Sequence, residues 1–173
     1  MTPFSFEHVF RAASVAEVFA AYFDPAHTAE QDRRLDITER EILSFSDGPD
    51  ELHRVSRVVP RRQLPAIVRP LVTGQLHYVE TLSWRKADHV IDLTIKPSIL
   101  RDRTVIKATY GLSEAGIGAI RRQYSGVVSV DIALLSSRIE RGIVAEFERS
   151  MPAAASCTQE WLDRFERSVA ARA

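Results

Sequence analysis

Residues 76–95 read LHYVETLSWRKADHVIDLTI, and the period of this stretch decides the fold. Leu76, Tyr78, Leu82 and Trp84 fall on alternate positions with Glu80 among them, while His77, Val79, Thr81 and Ser83 occupy the other set. A repeat of two with one apolar side is what a half-buried strand requires, because successive side chains leave opposite faces of a pleated backbone. KADH then supplies a hairpin turn, and VIDLTI a second strand that Pro97 brings to a stop.

The same reading extends in both directions. Toward the C-terminus come TVIKATYGL (104–112), the Gly-containing turn SEAGIG and AIRRQYSGVVSV (119–130). Toward the N-terminus come ITEREILSF (37–45), a reversal at SDGPD, and ELHRVSRVV, which ends at Pro60. Strands separated by turn signals, with no helix between them, predict an antiparallel meander. Ahead of it, Phe4, Phe6, His8 and Phe10 alternate with Ser5, Glu7, Val9 and Arg11, the pattern of a further strand. Ser14 and Glu17 form a capping box for SVAEVFAAYFD, whose Val15, Val18, Phe19, Tyr22 and Phe23 make one helical stripe. Asp24 as cap and Pro25 at the first helical position open a second, short and mostly polar helix.

The C-terminal part is helical in period. Asp131 is the expected cap, and Leu135, Ile139, Ile143, Phe147 and Met151 recur every fourth residue. Pro152 is expected to kink or interrupt the helix, since it lacks an amide donor and clashes with the preceding turn. Thr158, Trp161, Leu162 and Phe165 continue a related face. A rod running to about residue 166 would be about 50 Å long, so its end is expected to fray or project. The element order predicts an α+β fold and a single domain over 1–173: a curved antiparallel sheet of about seven strands wrapped around a long C-terminal helix, with two short helices after the first strand. A twisted sheet holding such a helix is concave, and concavity leaves room for an apolar pocket.

Composition narrows the function. With 173 residues, 45% of them hydrophobic, the chain is long enough to bury a core. Lys plus Arg equals Asp plus Glu at 23 each, which argues against nucleic acid as a partner. Cys157 is the only cysteine, so neither an intrachain disulfide nor a thiolate metal cluster forms. The opening MTPFSFEHVF carries Glu7 and no apolar core segment, unlike a signal peptide, and no apolar run is long enough to span a bilayer. A cytoplasmic location is the expectation.

In element order and lengths, nearly the whole chain resembles the START-like superfamily of helix-grip domains, which includes polyketide cyclases and lipid-transfer proteins. FSFEHVFRA, SVAEVFAAYFDPAH, VVPRRQLPAIVRPLV, HYVETLSW and SRIERGIVAEFERSMP resemble, more closely, a bacterial family of unknown function within it. These segments identify a family and mark no active site. The resemblance implies a cavity for an apolar or amphipathic ligand; most members bind or carry, and a minority catalyse.

The residues expected to face such a ligand are Tyr78, Glu80, Trp84, Tyr110, Arg122 and Tyr124 from the strands, with Ile143 and Phe147 from the helix. Glu80 has three readings: a pocket acid that fixes a ligand polar group, a satisfied ion pair with Arg122, or an outward residue if the other face of its strand is the inner one. The aromatic residues carry polar tips suited to a carbon-lined pocket, or else pack the core against the helix. His8, between Phe6 and Phe10, reads as a hydrogen-bonded core histidine. His27, His53, His77 and His89 are scattered without metal-ligand spacing, and neither a metal nor a cofactor is expected. Residues 60–75 carry Leu64, Ile67, Val68 and Leu71 among three prolines and Arg61, Arg62 and Arg69. This segment reads as a lid over the pocket, as a plug at one end of the core, or as a basic surface in transient contact with anionic lipid. No nucleophile elbow, dinucleotide fingerprint or phosphate loop is present. The leading expectation is binding or transport of a hydrophobic small molecule or lipid without catalysis. The alternatives are a cyclase, dehydratase or hydrolase using Glu80 with Tyr110 or Tyr124, and an interaction module with a collapsed pocket.

Overall fold

Strand β1 (Thr2–Arg11) buries Phe4 and Phe10 and half-buries Phe6 and His8 between them, while Ser5, Glu7 and Val9 stay exposed, as a period of two demands. The computed structural model of the protein describes residues 1–61, 75–98 and 103–170. After β1 the backbone turns into α1 (Val15–Phe23), where the Ser14 hydroxyl accepts from the Glu17 amide at 3.3 Å and the Glu17 carboxylate accepts from the Ala13 amide at 2.6 Å. Asp24 caps α2 (Pro25–Arg34) by accepting from the Ala26 and His27 amides at 2.7 and 3.2 Å. The meander follows as β2 (Ile37–Asp47), β3 (Glu51–Pro60), β4 (Tyr78–Arg85), β5 (Val90–Pro97), β6 (Thr104–Gly116) and β7 (Ala119–Val130). Helix α3 (Ser136–Ala170) ends the described chain.

The seven strands form one antiparallel sheet in the order β1-β7-β6-β5-β4-β3-β2. This curved sheet around a long C-terminal helix, with two short helices after the first strand, is the helix-grip fold. β6 and β7 approach closely at Gly126: a Cβ there would lie 2.3 Å from the Lys107 carbonyl oxygen and 2.8 Å from Ala108 Cβ. Only glycine permits that approach.

Helix α3 begins later than its sequence suggests. Asp131 does not cap it; the Asp131 amide instead donates to the Arg103 carbonyl at 2.8 Å, at the end of the sheet. Leu134 is exposed and left-handed (φ 66°), and the Ser136 hydroxyl bonds back to both the amide and the carbonyl of Ile132. The chain thus makes a separate turn before the helix starts. Pro152 does not interrupt α3, which is continuous through it. At 35 residues the helix is about 52 Å long. Leu162 is buried and Phe165 is exposed, so packing ends near that point.

Among the contacts that fix α3 to the rest, those of Glu140, Gln159 and Thr158 are the most buried or reach backbone. The Glu140 carboxylate, buried, accepts from the Val130 amide and the Thr2 hydroxyl, each at 2.9 Å, and lies 3.0 Å from the N-terminal ammonium. Burial pushes this carboxyl up, but those hydrogen bonds outweigh it and hold Glu140 below the usual carboxylate range. The Gln159 side chain pairs with the free backbone of edge strand β1, accepting from the Arg11 amide at 2.8 Å and donating to its carbonyl at 3.1 Å. His27 Nε2 lies 3.2 Å from Thr158 Oγ1, whose own proton goes to the Ala154 carbonyl; His27 therefore donates.

Two outcomes are expected from these contacts. Gly126→Ala should lower the melting temperature by roughly 2–12 °C, since overpacking here costs about 1–3 kcal/mol; an unchanged melting temperature would show that the strands part at no cost. Burial holds the His27 imidazole below its ordinary value. The unfolded chain takes up its proton near pH ~6.5, whereas the folded chain resists it, so stability should fall as pH drops below that point. Thermal melts at pH 7.5 and 5.5 should show a smaller fall for His27→Gln than for wild type; identical falls would assign the effect to another group.

Candidate functional site: a cavity between sheet and helix

A cavity of about 380 Å³ lies between the concave face of the sheet and α3. Its walls are mostly apolar, with Leu93 and Ile95 of β5 facing Ile143, Phe147 and Met151 of α3. The rings of Tyr110 and Tyr124 stack at 4.1 Å between centroids on the adjoining strands. Burial pushes the Tyr78, Tyr110 and Tyr124 phenols well up, so all three stay protonated at neutral pH.

Two clusters of polar side chains reach this interior. In the first, Arg40 of β2 grips Asp32 of α2 with Nε and Nη2, both at 2.9 Å, and donates from Nη1 to Glu80 at 3.0 Å. Arg54 Nη2 lies 3.9 Å from the same Glu80 oxygen, and its guanidinium sits 5.8 Å from the Phe23 ring centre. These four side chains are only 13–15% exposed. Burial pushes Arg54 below the ordinary arginine value; for Arg40 the same effect is outweighed by Glu80 and Asp32, which hold it above.

The second cluster surrounds Arg122 of β7. Nη1 donates to the Tyr22 hydroxyl at 3.3 Å and Nη2 to His8 Nδ1 at 2.8 Å. The guanidinium lies over the Phe10 ring at 5.2 Å and the Tyr110 ring at 5.8 Å. Burial first, and the Arg122 charge second, hold His8 below its ordinary value, which keeps the ring neutral and able to accept.

The structure places Tyr78, Glu80, Tyr110, Arg122, Tyr124, Ile143 and Phe147 on the cavity wall. Trp84 is not on it. Its ring stacks on Phe19 at 4.4 Å and on Phe23 at 4.9 Å, so this tryptophan joins α1 to the sheet. Glu80 faces inward, and the ion pair between Glu80 and Arg122 does not form: Arg40 and Arg54 take the carboxylate instead. The segment carrying Leu64, Ile67, Val68 and Leu71 lies outside the described residues. Sequence reading missed Arg40, Arg54 and Asp32. Arg54 was within reach, since alternation in ELHRVSRVV sets it on one face with Leu52, Ser56 and Val58. Arg40 was hidden by register shifts in β2 between Ile37 and Glu39 and between Ile42 and Ser44. Among the described residues, no group of three or more His, Cys, Asp or Glu is placed to hold a metal ion, and no helix is long and apolar enough to cross a membrane.

Solved structures share this arrangement at low sequence identity. A START superfamily protein from Mycobacterium smegmatis superposes with a TM-score of 0.60 at 11% identity, covering 94% of this chain and 98% of that one. The Zhui aromatase/cyclase from Streptomyces sp. R1128 gives 0.63 at 10% identity, with 94% of each chain covered. A protein from Thermus thermophilus gives 0.65 at 10% identity over 93% of this chain and 97% of that one. The chain therefore has the START-like helix-grip fold. No curated protein matches it in sequence. The model of one family, described as protein of unknown function (DUF2505), matches residues 5–162, and the chain belongs to that family.

The Arg40 cluster yields a test of its own. Arg40→Leu strands Asp32 and leaves Glu80 only the more distant Arg54, and should cost about 2–3 kcal/mol, less than a fully buried pair because some solvent reaches the site. That corresponds to a melting temperature lower by roughly 4–12 °C. Glu80→Gln leaves Asp32 to hold Arg40 and should cost less than half as much; equal losses would contradict this division of the network.

Proposed function

We propose that this protein binds or transports a hydrophobic or amphipathic small molecule or lipid in the cavity, without catalysis. The observation that carries this reading is the cavity itself, whose volume of about 380 Å³ falls within the ~300–1,000 Å³ usual for small-molecule sites. Its apolar walls favour such a ligand by about 25 cal/mol for each Å² withdrawn from water. The START-like fold supports the same reading, as do its solved relatives in a general way, at identities that bear on fold alone.

The catalytic alternative needs a free carboxylate and a phenol that gives up its proton readily. Glu80 is held by two guanidinium groups, and burial raises all three cavity phenols. Both features suit a holding site better than an acid–base pair. A collapsed interaction module is disfavoured by the open volume between sheet and helix.

Gly142 offers a direct test. It lines the cavity from α3, and a Cβ at this position meets nothing within 4 Å. Gly142→Leu should fill the space while removing a helical glycine that costs about 1 kcal/mol. Titration with the neutral fluorescent probe N-phenyl-1-naphthylamine is expected to saturate at one probe per wild-type chain and to weaken at least ten-fold in Gly142→Leu. The variant should melt no lower than wild type. If both proteins bind the probe equally, or neither binds it, the cavity is not a ligand site.

A further inference from the structure

We propose that the ligand held in this cavity carries one carboxylate on an apolar body, and that the carboxylate docks on the guanidinium of Arg122; this rests on the binding function proposed above. Arg122 is 2% exposed and sits on the cavity wall. Its hydrogen-bond partners are both neutral, the Tyr22 hydroxyl and His8 Nδ1. Among the described residues, its buried Nε–H has no acceptor and no carboxylate forms an ion pair with it.

Arg54 Nε likewise lacks an acceptor, but in charge pairing the rest of the interior stands in contrast. Arg40 and Arg54, on the same wall, share Glu80, and Arg40 also has Asp32. Glu146, also on the lining, is paired with Arg149. Every carboxylate among these is already engaged, and the Arg122 charge is left over. Contact with the Phe10 and Tyr110 faces returns part of the solvation that the ion has lost. Withdrawing an ion from water costs more than such ring contacts give back. A carboxylate presented side-on to Nε–H and a free Nη–H would supply both the missing acceptor and the missing charge.

The cavity also limits the apolar body. At about 380 Å³ it lies near the small end of the ~300–1,000 Å³ usual for small-molecule sites. It suits a medium-chain fatty acid or a bicyclic aryl acid, with the chain or rings lying against Leu93, Ile95, Ile143 and Phe147.

The test compares matched acid and neutral probes by displacement of N-phenyl-1-naphthylamine at pH 7.5: dodecanoate with dodecanol, and 2-naphthoate with 2-naphthamide. In wild-type protein at least one acid is expected to bind ten-fold or more tightly than its neutral partner, and the better pair tells chain from ring. In Arg122→Met that ratio should fall below about threefold. Equal binding of acid and neutral members in both pairs overturns the carboxylate assignment and leaves the binding function standing. A preference that survives in Arg122→Met overturns the role of Arg122. Failure of every probe, including N-phenyl-1-naphthylamine, overturns the binding function and this inference with it. Should Arg122→Met fail to fold, the Nε–H resonance of Arg122 in wild-type protein decides: it should move with dodecanoate and not with dodecanol, and any other pattern overturns the assignment.

Discussion

The setting of α3 across the sheet depends on Glu140, one turn into that helix, whose carboxylate accepts from the last residue of β7 and from the first of β1. β1 and β7 are neighbours, so one side chain ties the helix to the corner where the first and last strands meet. A buried carboxylate without those donors would be costly, and with them it fixes both position and angle. From that corner the helix runs over the concave face, and its far half is held by Gln159 against β1 and by Thr158 against α2. The cavity is the space left beneath a rod anchored in this way.

Within that space the polar groups are unevenly matched. On the β2–β4 side, arginines and carboxylates are interleaved and their charges offset one another. On the β7 side, a guanidinium rests on aromatic faces and neutral acceptors. Natural interiors seldom keep a charge in that condition without use for it, because an apolar residue of similar volume would be the more stable choice. The asymmetry gives the cavity two chemically distinct ends with carbon between them.

Much of the fold was legible in the sequence. Alternation fixed the strands of the meander, and the Ser14–Glu17 and Asp24–Pro25 signals located both short helices. The direction of Glu80 was open in the sequence, because the other face of its strand could equally have been the inner one; the structure sets it on the cavity wall with Tyr78 and Leu82. Its partner did not follow either. Arg122 shares the inner face, but pairing depends on which strands adjoin: β3 lies next to β4, whereas β7 is three strands away. The bulges in β2 shift the alternation that would have flagged Arg40. Trp84 reads as a pocket residue because strand period reveals a face and says nothing of what covers it; here Phe19 and Phe23 do. The late start of α3 reflects local hydrogen bonding by Ser136 that offers the backbone an alternative to helix.

The grip of α3 on β1, α1 and α2 has a consequence for how the molecule assembles. Arg11 bonds to Gln159 and Asp163, partners separated from it by 148 and 152 residues, and His27 meets Thr158 across 131. A chain emerging from the ribosome can form its meander early, yet the greasy concave surface has no cover until the last helix arrives. Closing so many distant contacts at once makes folding slow relative to helical proteins of equal size. Until then the nascent sheet is a surface that chaperones recognise and that neighbouring chains can stick to.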